Sequence, residues 1–402
     1  MPMTKETFHK FLKLATANGV SDIHLREGEP PFFRMKGGLK KIKADILTKE
    51  DMLVICGVII PDKGVLKGIE TLKEYDGSYQ YGKICRVRIS LLKFQGRIAI
   101  IMRVINIKVP TMAELGLPSA LKGFVNAKRG LVLVTGVTGS GKSSTLASLI
   151  QEINRTREEH ILTIEDPIEF IFTSEKSRIT QRELGEDTDS FKDALRGALR
   201  QDPDIIVIGE LRDAETIQIS MKAAETGHLV FATVHTTNAP ATINRIVSMF
   251  PPEEQDNVKL RLSECLFGSI SQRLLPTMDG KGRVCAQEIM VNKVGIQDCI
   301  SGKESLNKMY VTIEKSKGEM QSFDQHLTEL YKGKCITFDV ASGAASSPSN
   351  FERNLEFGGS DKDDAEDQVS NKEEQENTSS SSQDDEESCD ISPGELSLDI
   401  AK

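Results

Sequence analysis

The chain has 402 residues, enough for about two to three domains, and its formal net charge is −9. That charge is unevenly distributed: residues 341–402 hold 17 Asp/Glu against 4 Lys/Arg and carry −13, which leaves +4 on residues 1–340. Seven scattered cysteines without a C-x-x-C pair favour reduced thiols over a disulfide framework or a zinc site. The sequence begins without an apolar leader, and no apolar run approaches about 18 residues, so we expect a cytoplasmic protein.

The first 108 residues are predicted to form a small α+β domain. Apolar residues at helical spacing predict a helix over 4–17, and a second helix is expected at about 49–60. Residues 84–105 have the pattern of two strands joined near Gln95-Gly96. No complete catalytic constellation lies within this segment, so we expect the chemistry further along the chain.

A linker with Pro and Gly is predicted at 109–118, and an α/β domain at 119–340. Short apolar strands alternate with helices there, which is typical of a parallel sheet buried on both faces. Residues 276–340 are expected to be mostly helical. The strand candidates are 131–135, 161–164, 205–208 and 229–234.

From residue 341 the sequence loses its apolar periodicity. Acidic and serine-rich runs cannot bury enough apolar surface to fold, so residues 341–402 are predicted to be a disordered tail. An alternative interpretation of this tail is an acidic docking or phosphorylation segment.

A glycine-rich loop follows the first strand candidate and fits the pattern G-x-x-x-x-G-K-[ST]. A strand before it and a predicted helix at 144–154 after it are the setting that a P-loop requires. Lys142 is expected to reach the β- and γ-phosphates of ATP, and the Ser143 hydroxyl to ligate Mg²⁺. The predicted nucleotide-binding residues are Gly136, Val137, Thr138, Gly139, Ser140, Gly141, Lys142, Ser143 and Ser144.

Carboxylates follow two other strand candidates, at the edge of the sheet where the P-loop is expected. Glu210 comes directly after the strand candidate and a glycine, in the Walker B position beside Mg²⁺ or the attacking water. Another strand ends in Glu165, Asp166 and, three residues later, Glu169. Three carboxylates so close together repel one another unless a cation lies near, and Mg²⁺–ATP supplies one.

Two histidines and two arginines complete the set of candidates. His228 and His235 bracket the strand candidate 229–234 and are expected to sense the γ-phosphate or to link subunits. Arg88 and Arg103 lie in the two strands of the first domain, and the planar fork of an arginine matches phosphate oxygens. The predicted nucleotide domain lacks an obvious arginine finger, so these two are expected to act across a domain or subunit boundary.

Four segments together resemble the secretion ATPases. The segments VTGVTGSGKSSTLASLI, ILTIEDPIEFIF, LRQDPDIIVIGELRDAETI and TGHLVFATVHTTNA look like the Walker A, Asp-box, Walker B and His-box motifs of that superfamily. Within it, the chain resembles the twitching-motility ATPases that power type IV pilus retraction. The likeness covers roughly residues 5–340 and leaves the tail unexplained.

The resemblance implies a PAS-like first domain, a RecA-like ATPase domain, and a homohexameric ring with ATP and Mg²⁺ between protomers. It also implies an inner-membrane pilus platform protein as partner, with the motor peripherally associated with that membrane. By motif position, Glu169 is the general base and Glu210 the Walker B glutamate near Mg²⁺. The other implied site residues are Glu165 and Asp166 of the Asp-box, His228 and His235 of the His-box, and Arg88 and Arg103, with Arg97 as a near neighbour.

Two departures from family patterns bear on function. Pilus-extension and type II secretion ATPases carry a four-cysteine zinc insert and a longer N-terminal region; this chain has neither, which favours retraction. The retraction motif AIRNLIRE is represented here by GIQDCISG at 295–302, without its arginines. An accessory retraction paralogue that depends on a partner motor is therefore an alternative.

Two further classes stay open. A RecA-like DNA-transfer ATPase needs basic loops or aromatic stacking platforms. A core charge of +4, an aromatic content of 5% and the absence of tryptophan argue against nucleic acid as a partner. A non-hydrolysing regulatory ring subunit is the other class, and the intact Walker motifs weigh against it.

Overall fold

The first of the two sheets in the described part of the chain is antiparallel and has six strands, in the order β3-β2-β1-β6-β5-β4. The computed structural model describes residues 3–35, 38–82, 84–105, 108–316 and 318–357. The strands of the first sheet are β1 Asp22–Arg26, β2 Phe32–Met35, β3 Gly38–Lys41, β4 Glu74–Tyr81, β5 Cys85–Phe94 and β6 Arg97–Ile105. Its helices are α1 Lys5–Ala17, α2 Lys49–Ile59 and α3 Lys63–Lys67.

The α+β prediction for this part of the chain is confirmed, together with both predicted helices and the strand pair. Gln95 and Gly96 form the turn between β5 and β6, and both have positive φ angles, of 50° and 79°. Such two-residue turns match the twist of an antiparallel pair.

The alternation along β5 decides which face of the first sheet is buried. Val87, Ile89 and Leu91 pack against the helices in one hydrophobic cluster. Arg86 and Arg88 alternate with them and therefore lie on the opposite face.

The second sheet has seven strands in the order β13-β12-β7-β11-β10-β8-β9, all parallel except β13. Its strands are β7 Gly130–Gly136, β8 His160–Glu165, β9 Arg178–Glu183, β10 Ile205–Ile208, β11 Leu229–Val234, β12 Leu266–Pro276 and β13 Arg283–Val291. The helices here are α4 Lys122–Val125, α5 Lys142–Thr156, α6 Phe191–Ala198, α7 Ala214–Glu225, α8 Ala239–Val247, α9 Gln255–Cys265, α10 Val294–Ile300, α11 Lys308–Lys315, α12 Phe323–Lys332, α13 Phe338–Ala344 and α14 Pro348–Phe357.

All four predicted strands of this sheet are confirmed, and β7, β10 and β11 are buried along their whole length. The first sheet ends at Ile105 and the second begins at Gly130, so the proposed division of the chain near 109–118 lies between the sheets and stays a prediction. No helix within the described ranges is both long enough and apolar enough to cross a lipid bilayer.

The expectation of a mostly helical segment at 276–340 is wrong in its first part. Residues 283–291 form β13, which pairs with β12 in a long antiparallel hairpin. Buried polar residues, among them Gln272, Gln287 and Glu288, interrupt the apolar pattern of both strands. Alternation of apolar and polar residues is the main sequence signal for a strand. Because this alternation is interrupted here, the sequence did not predict the hairpin.

The predicted start of the tail at residue 341 is also wrong. Helices α13 and α14 continue the fold to Phe357. The Phe351 side chain is 1% exposed and packs with Phe323 and Leu327 in a hydrophobic cluster on the β12–β13 hairpin. One buried aromatic side chain removes enough apolar surface from water to hold a short helix in place. Residues 358–402 lie outside the described ranges.

Replacing Phe351 by Ala is expected to lower the stability of this region by about 3–5 kcal/mol, because it leaves a cavity in the cluster. The matched control is Phe338→Ala. Phe338 is 37% exposed on the neighbouring helix α13, so its replacement should lower the stability much less. Thermal unfolding of the two variants, followed by circular dichroism, checks this. Equal midpoints for both variants would show that α14 does not contribute to the fold.

Candidate active site

Four neighbouring parallel strands bring the candidate residues together. The order β7-β11-β10-β8 places the P-loop beside the end of β11, then the end of β10, then the end of β8. His235, Glu210 and the segment 165–169 follow those three strand ends. Because the carboxyl ends of parallel strands share one edge of a sheet, residues far apart in sequence meet there.

The P-loop is shaped by glycines that no other residue could replace without strain. Gly136 has φ 151°, and a Cβ there would lie 2.3 Å from Ser140 Oγ and 2.8 Å from the Gln272 carbonyl oxygen. Gly141 has φ 91° and immediately precedes α5. The loop therefore turns tightly into the N-terminus of a 15-residue helix, where partial positive charge favours phosphate.

Lys142 is buried and linked through His235 to Glu210. Its Nζ donates to two carbonyl oxygens of the P-loop at 2.8 and 3.2 Å and lies 3.4 Å from His235 Nδ1. His235 Nε2 lies 3.4 Å from Glu210 Oε1. Because an ammonium can only donate, His235 Nδ1 accepts, and the ring proton is on Nε2 facing Glu210. Burial lowers the pKa of Lys142, and the carboxylates of Glu210 and Glu169 oppose that shift.

Arg212 is a pocket residue that the sequence analysis missed. Its Nε donates to Glu210 Oε2 at 2.8 Å, and one terminal nitrogen lies 3.9 Å from Asp166 Oδ2. The nucleotide domain therefore has an arginine at the pocket, paired with Glu210 and near Asp166; the expectation that an arginine finger comes from across a domain or subunit boundary stays a prediction. The sequence feature that could have identified Arg212 is its position two residues after Glu210, the acidic residue that follows β10.

The carboxylates after β8 have distinct environments. Glu165 is held in place: Oε1 accepts from Thr163 at 2.7 Å and Gln181 at 3.2 Å, and Oε2 accepts the Glu169 backbone N–H at 3.4 Å. Burial raises the pKa of Glu165. Glu169 and Asp166 are exposed at the pocket wall. Glu165 therefore orients the loop, and the other two present oxygens to the pocket.

These groups line a pocket of about 740 Å³, which lies within the roughly 300–1,000 Å³ range of ligand pockets. Apolar side chains, including Leu117, Phe172 and Leu274, form another part of its wall. Val137 is 58% exposed and, like Gly136 and Ser140, shapes the loop without lining the pocket. The predicted residues that line it are Thr138, Gly139, Gly141, Lys142, Ser143, Ser144, Glu165, Asp166, Glu169, Glu210 and His235.

His228 does not belong to this pocket in its own chain. It precedes the first residue of β11, whereas His235 follows the last. Seven residues of extended chain separate them by about 23 Å, so they lie at opposite edges of the sheet. His228 Nδ1 lies 3.0 Å from the Ala223 carbonyl oxygen. His235 thus lines the pocket and His228 does not; the predicted roles of the pair, sensing the γ-phosphate or linking subunits, stay predictions.

Arg88 and Arg103 also lie outside the pocket of their own chain. They face each other across β5 and β6 on the outer face of the first sheet. Arg103 Nε donates to Asp22 Oδ1 at 2.9 Å, and Arg88 is exposed. Arg97 begins β6 near Gly28 and does not line the pocket either.

The donor set of the pocket fits Mg²⁺ better than a tightly caged metal. The Ser143 hydroxyl and the carboxylates of Asp166 and Glu210 all line it, and Mg²⁺ prefers oxygen ligands. Throughout the described part of the chain, no group of three or more His, Cys, Asp or Glu residues could hold a metal ion by itself. Mg²⁺ characteristically completes its shell with water and substrate phosphates.

Gly136→Ala is expected to abolish nucleotide binding, because its Cβ collides with the Gln272 backbone. Gly185→Ala is the control: Gly185 does not line the pocket, φ there is 86° and nothing lies within 4 Å of an added Cβ, so only the backbone strain of about 1–2 kcal/mol applies. Titration with a fluorescent ATP analogue measures both variants. Similar affinities would contradict the role given to the close approach at Gly136.

Comparisons with known proteins identify the family of this chain. The family model described as "Type II/IV secretion system protein" matches residues 2–335. The chain is 42% identical to the type IV pilus retraction ATPase PilT of Pseudomonas aeruginosa, over 85% of this chain and 99% of that protein. It is 35% identical to the type IV pilus ATPase PilU of the same organism, over 87% of this chain and 92% of that protein.

A solved structure supports the same assignment. The crystal structure of the pilus retraction motor PilT with bound ADP superposes with a TM-score of 0.79 at 41% identity, covering 86% of this chain and 98% of that one. The expected fold, a RecA-like P-loop ATPase domain preceded by a small α+β domain, is thereby confirmed. The chain belongs to the type II/IV secretion system protein family, as a nucleotide-binding ATPase of the pilus-retraction, twitching-motility type.

Proposed function

We propose that this motor hydrolyses ATP, with Mg²⁺, in the pocket at the carboxyl edge of the second sheet, and that turnover changes the angle between its two domains. One observation carries the proposal: the P-loop, His235, Glu210 and Glu169 come from four neighbouring strand ends and surround one pocket. Phosphoryl transfer to water depends mainly on positioning and charge, and a fixed set of strand ends supplies both.

The P-loop side of the pocket binds the phosphates. Lys142 Nζ donates hydrogen bonds to two carbonyl oxygens of the P-loop. When ATP binds, the same ammonium can donate to the β- and γ-phosphates instead, while the side chain stays in its buried position. Ser143, Asp166 and Glu210 are the residues that would hold Mg²⁺, which when bound neutralises phosphate charge.

Glu169 is the proposed general base. Its side chain makes no hydrogen bond with the described residues, so its carboxylate is available to a water molecule. Glu165 is unsuited to this role, because both of its oxygens accept hydrogen bonds from the chain. It holds the Glu169 backbone instead.

His235 is proposed to report the presence of the γ-phosphate. It lies between Lys142 and Glu210, so a phosphate that attracts the Lys142 ammonium also changes the hydrogen bonding of the imidazole. Glu210 is held from the other side by Arg212. The pocket therefore contains a continuous polar connection from the P-loop to the Walker B carboxylate.

A second copy of the chain is proposed to complete the pocket. Arg88 and Arg103 lie on the polar face of the first sheet and do not line the pocket of their own chain, and a neighbour in a homohexameric ring is proposed to meet them there. His228 is placed at the other edge of the sheet, where a role between subunits remains proposed. The ring is proposed to associate peripherally with the inner membrane and to act on a pilus platform protein there.

Lys142→Ala and Glu210→Gln are expected to reduce ATP turnover by at least about a hundredfold, because each removes charge placed for the transition state. Glu215→Gln is the matched control, since Glu215 is an exposed carboxylate on α7 that pairs with Arg196 and Lys192. Phosphate release by the purified chain measures turnover, and circular dichroism confirms folding. Wild-type turnover in a folded Lys142→Ala variant would contradict the site.

Mixing two inactive variants tests whether the pocket is shared between copies. Arg88→Ala leaves the P-loop intact, and Lys142→Ala leaves the arginine intact. If Arg88 acts on a neighbour's nucleotide, mixed assemblies should regain part of the turnover that each variant has lost. Native mass spectrometry verifies that the two variants assemble together. Mixed assemblies with no regained turnover at any ratio would contradict an arginine supplied in trans.

An accessory retraction ATPase is the second candidate function. Helix α10 carries the segment GIQDCI at 295–300, which lacks the arginines of the retraction motif. The relative PilU, a type IV pilus ATPase, is the match that favours this candidate, and PilT represents the kind of partner motor that an accessory chain would require. Turnover measured alone and in the presence of a paralogue distinguishes the two: an accessory subunit requires the partner.

A further inference from the structure

An ion pair joins the first sheet to the catalytic edge of the second. Arg86 on β5 donates from a terminal guanidinium nitrogen to Glu183 Oε2 on β9, at 2.5 Å and 97 residues away in sequence. Their side chains are only 14% and 7% exposed. The same guanidinium nitrogen also donates to Ser78 Oγ on β4 at 2.9 Å. Arg86 is therefore held within its own sheet while it reaches the other one.

The oxygen that Arg86 contacts also holds the loop that carries Glu169. Glu183 Oε2 accepts the backbone N–H of Ile168 at 3.3 Å. Glu183 pairs in register with Glu165, whose Oε2 accepts the Glu169 N–H. Two carboxylates on adjacent strands thus fix two successive amides immediately beside the proposed base.

The burial of Glu183 makes this arrangement depend on the position of the first domain. Burial raises the pKa of Glu183, and the nearby Arg86 guanidinium lowers it. A buried carboxylate that loses its cation must take up a proton or admit water. Either response weakens an acceptor on which the Ile168 amide depends. A rotation of the first domain that displaces Arg86 would therefore weaken the hydrogen bonding that holds the loop at 166–169.

We propose that the Arg86–Glu183 pair couples the orientation of the first domain to the catalytic loop, with Glu183 as a positioning residue for Glu169. The inference rests on the proposed role of Glu169 as the base. It assigns to Arg86 a role within its own chain, distinct from that of Arg88, the next residue on the same face of β5.

The test uses steady-state ATP turnover together with amide hydrogen exchange at Ile168 and Glu169. Arg86→Ala should lower kcat about tenfold or more, because small misplacements of a catalytic group have effects of this size. KM for ATP should stay unchanged, since neither residue lines the pocket. Exchange at both amides should accelerate. Arg86→Lys should recover part of kcat, and Glu183→Gln, which keeps an oxygen for Ile168, should lose less than Glu183→Ala.

Reversing the charges of Arg86 and Glu183 distinguishes two roles of the ion pair: positioning the catalytic loop, or only holding the two domains together. In the double variant Arg86→Glu with Glu183→Arg the ion pair is restored, but a guanidinium cannot accept the Ile168 N–H. The thermal midpoint should therefore recover while kcat stays low. Arg26→Ala is the control, because the contacts of Arg26 with Glu29 and the Phe94 ring stay within the first domain.

Three results would overturn the proposal: kcat of Arg86→Ala within twofold of wild type, unchanged exchange at Ile168, or full recovery of kcat on charge reversal. Failure of the proposed function is recognised separately. If Glu169→Gln retains turnover, Glu169 is not the base, yet exchange at Ile168 still reports whether Arg86 and Glu183 hold the loop. If Arg86→Ala does not fold, Arg86→Gln, which removes the charge but keeps a polar side chain, provides the same comparison of kcat and of exchange at Ile168.

Discussion

The common direction of four buried strands is the constraint on which the rest of this structure depends. Strands β7, β11, β10 and β8 run parallel, so their carboxyl ends share one edge. Their interiors are almost entirely apolar and buried on both faces, which leaves polar residues to the strand ends. Segments separated by almost a hundred residues of sequence thereby form the walls of one pocket. The connecting helices are not required to supply catalytic residues.

Charge at that edge is arranged in two connected sets. On the P-loop side, the Lys142 ammonium, the His235 imidazole and the Glu210 carboxylate lie in contact, with Arg212 beyond. On the β8 side, carboxylates hold backbone amides of the loop before Glu169. We propose that the first set responds to phosphate, whereas the second depends on a residue from the other sheet. In this proposal, hydrolysis and domain movement are linked through hydrogen bonds a few residues from the proposed water-activating group.

Sequence reasoning was most successful where one physical signal dominated. Strands such as Ile205–Ile208 were predicted to the residue, since short apolar runs before acidic residues mark a buried parallel strand, and the P-loop pattern predicted the loop between β7 and α5. It failed for the β12–β13 hairpin, where buried polar side chains hide the strand pattern, and for α14, whose buried anchor Phe351 lies in a polar segment. Arg212 was overlooked because its contacts depend on the spacing between strand ends. His228 and His235 bracket β11 as predicted, and the length of that strand puts His235 at the pocket and His228 at the opposite end of the sheet.

The central claim about this motor is that nucleotide turnover at these strand ends withdraws pili. Deletion of the gene in its host, followed by counting of surface pili and scoring of twitching, tests that claim most directly. A retraction motor predicts abundant surface pili and no twitching, with both restored by the wild-type gene. Cells that lose their surface pili would contradict the account, because they would show that the motor extends pili instead of retracting them.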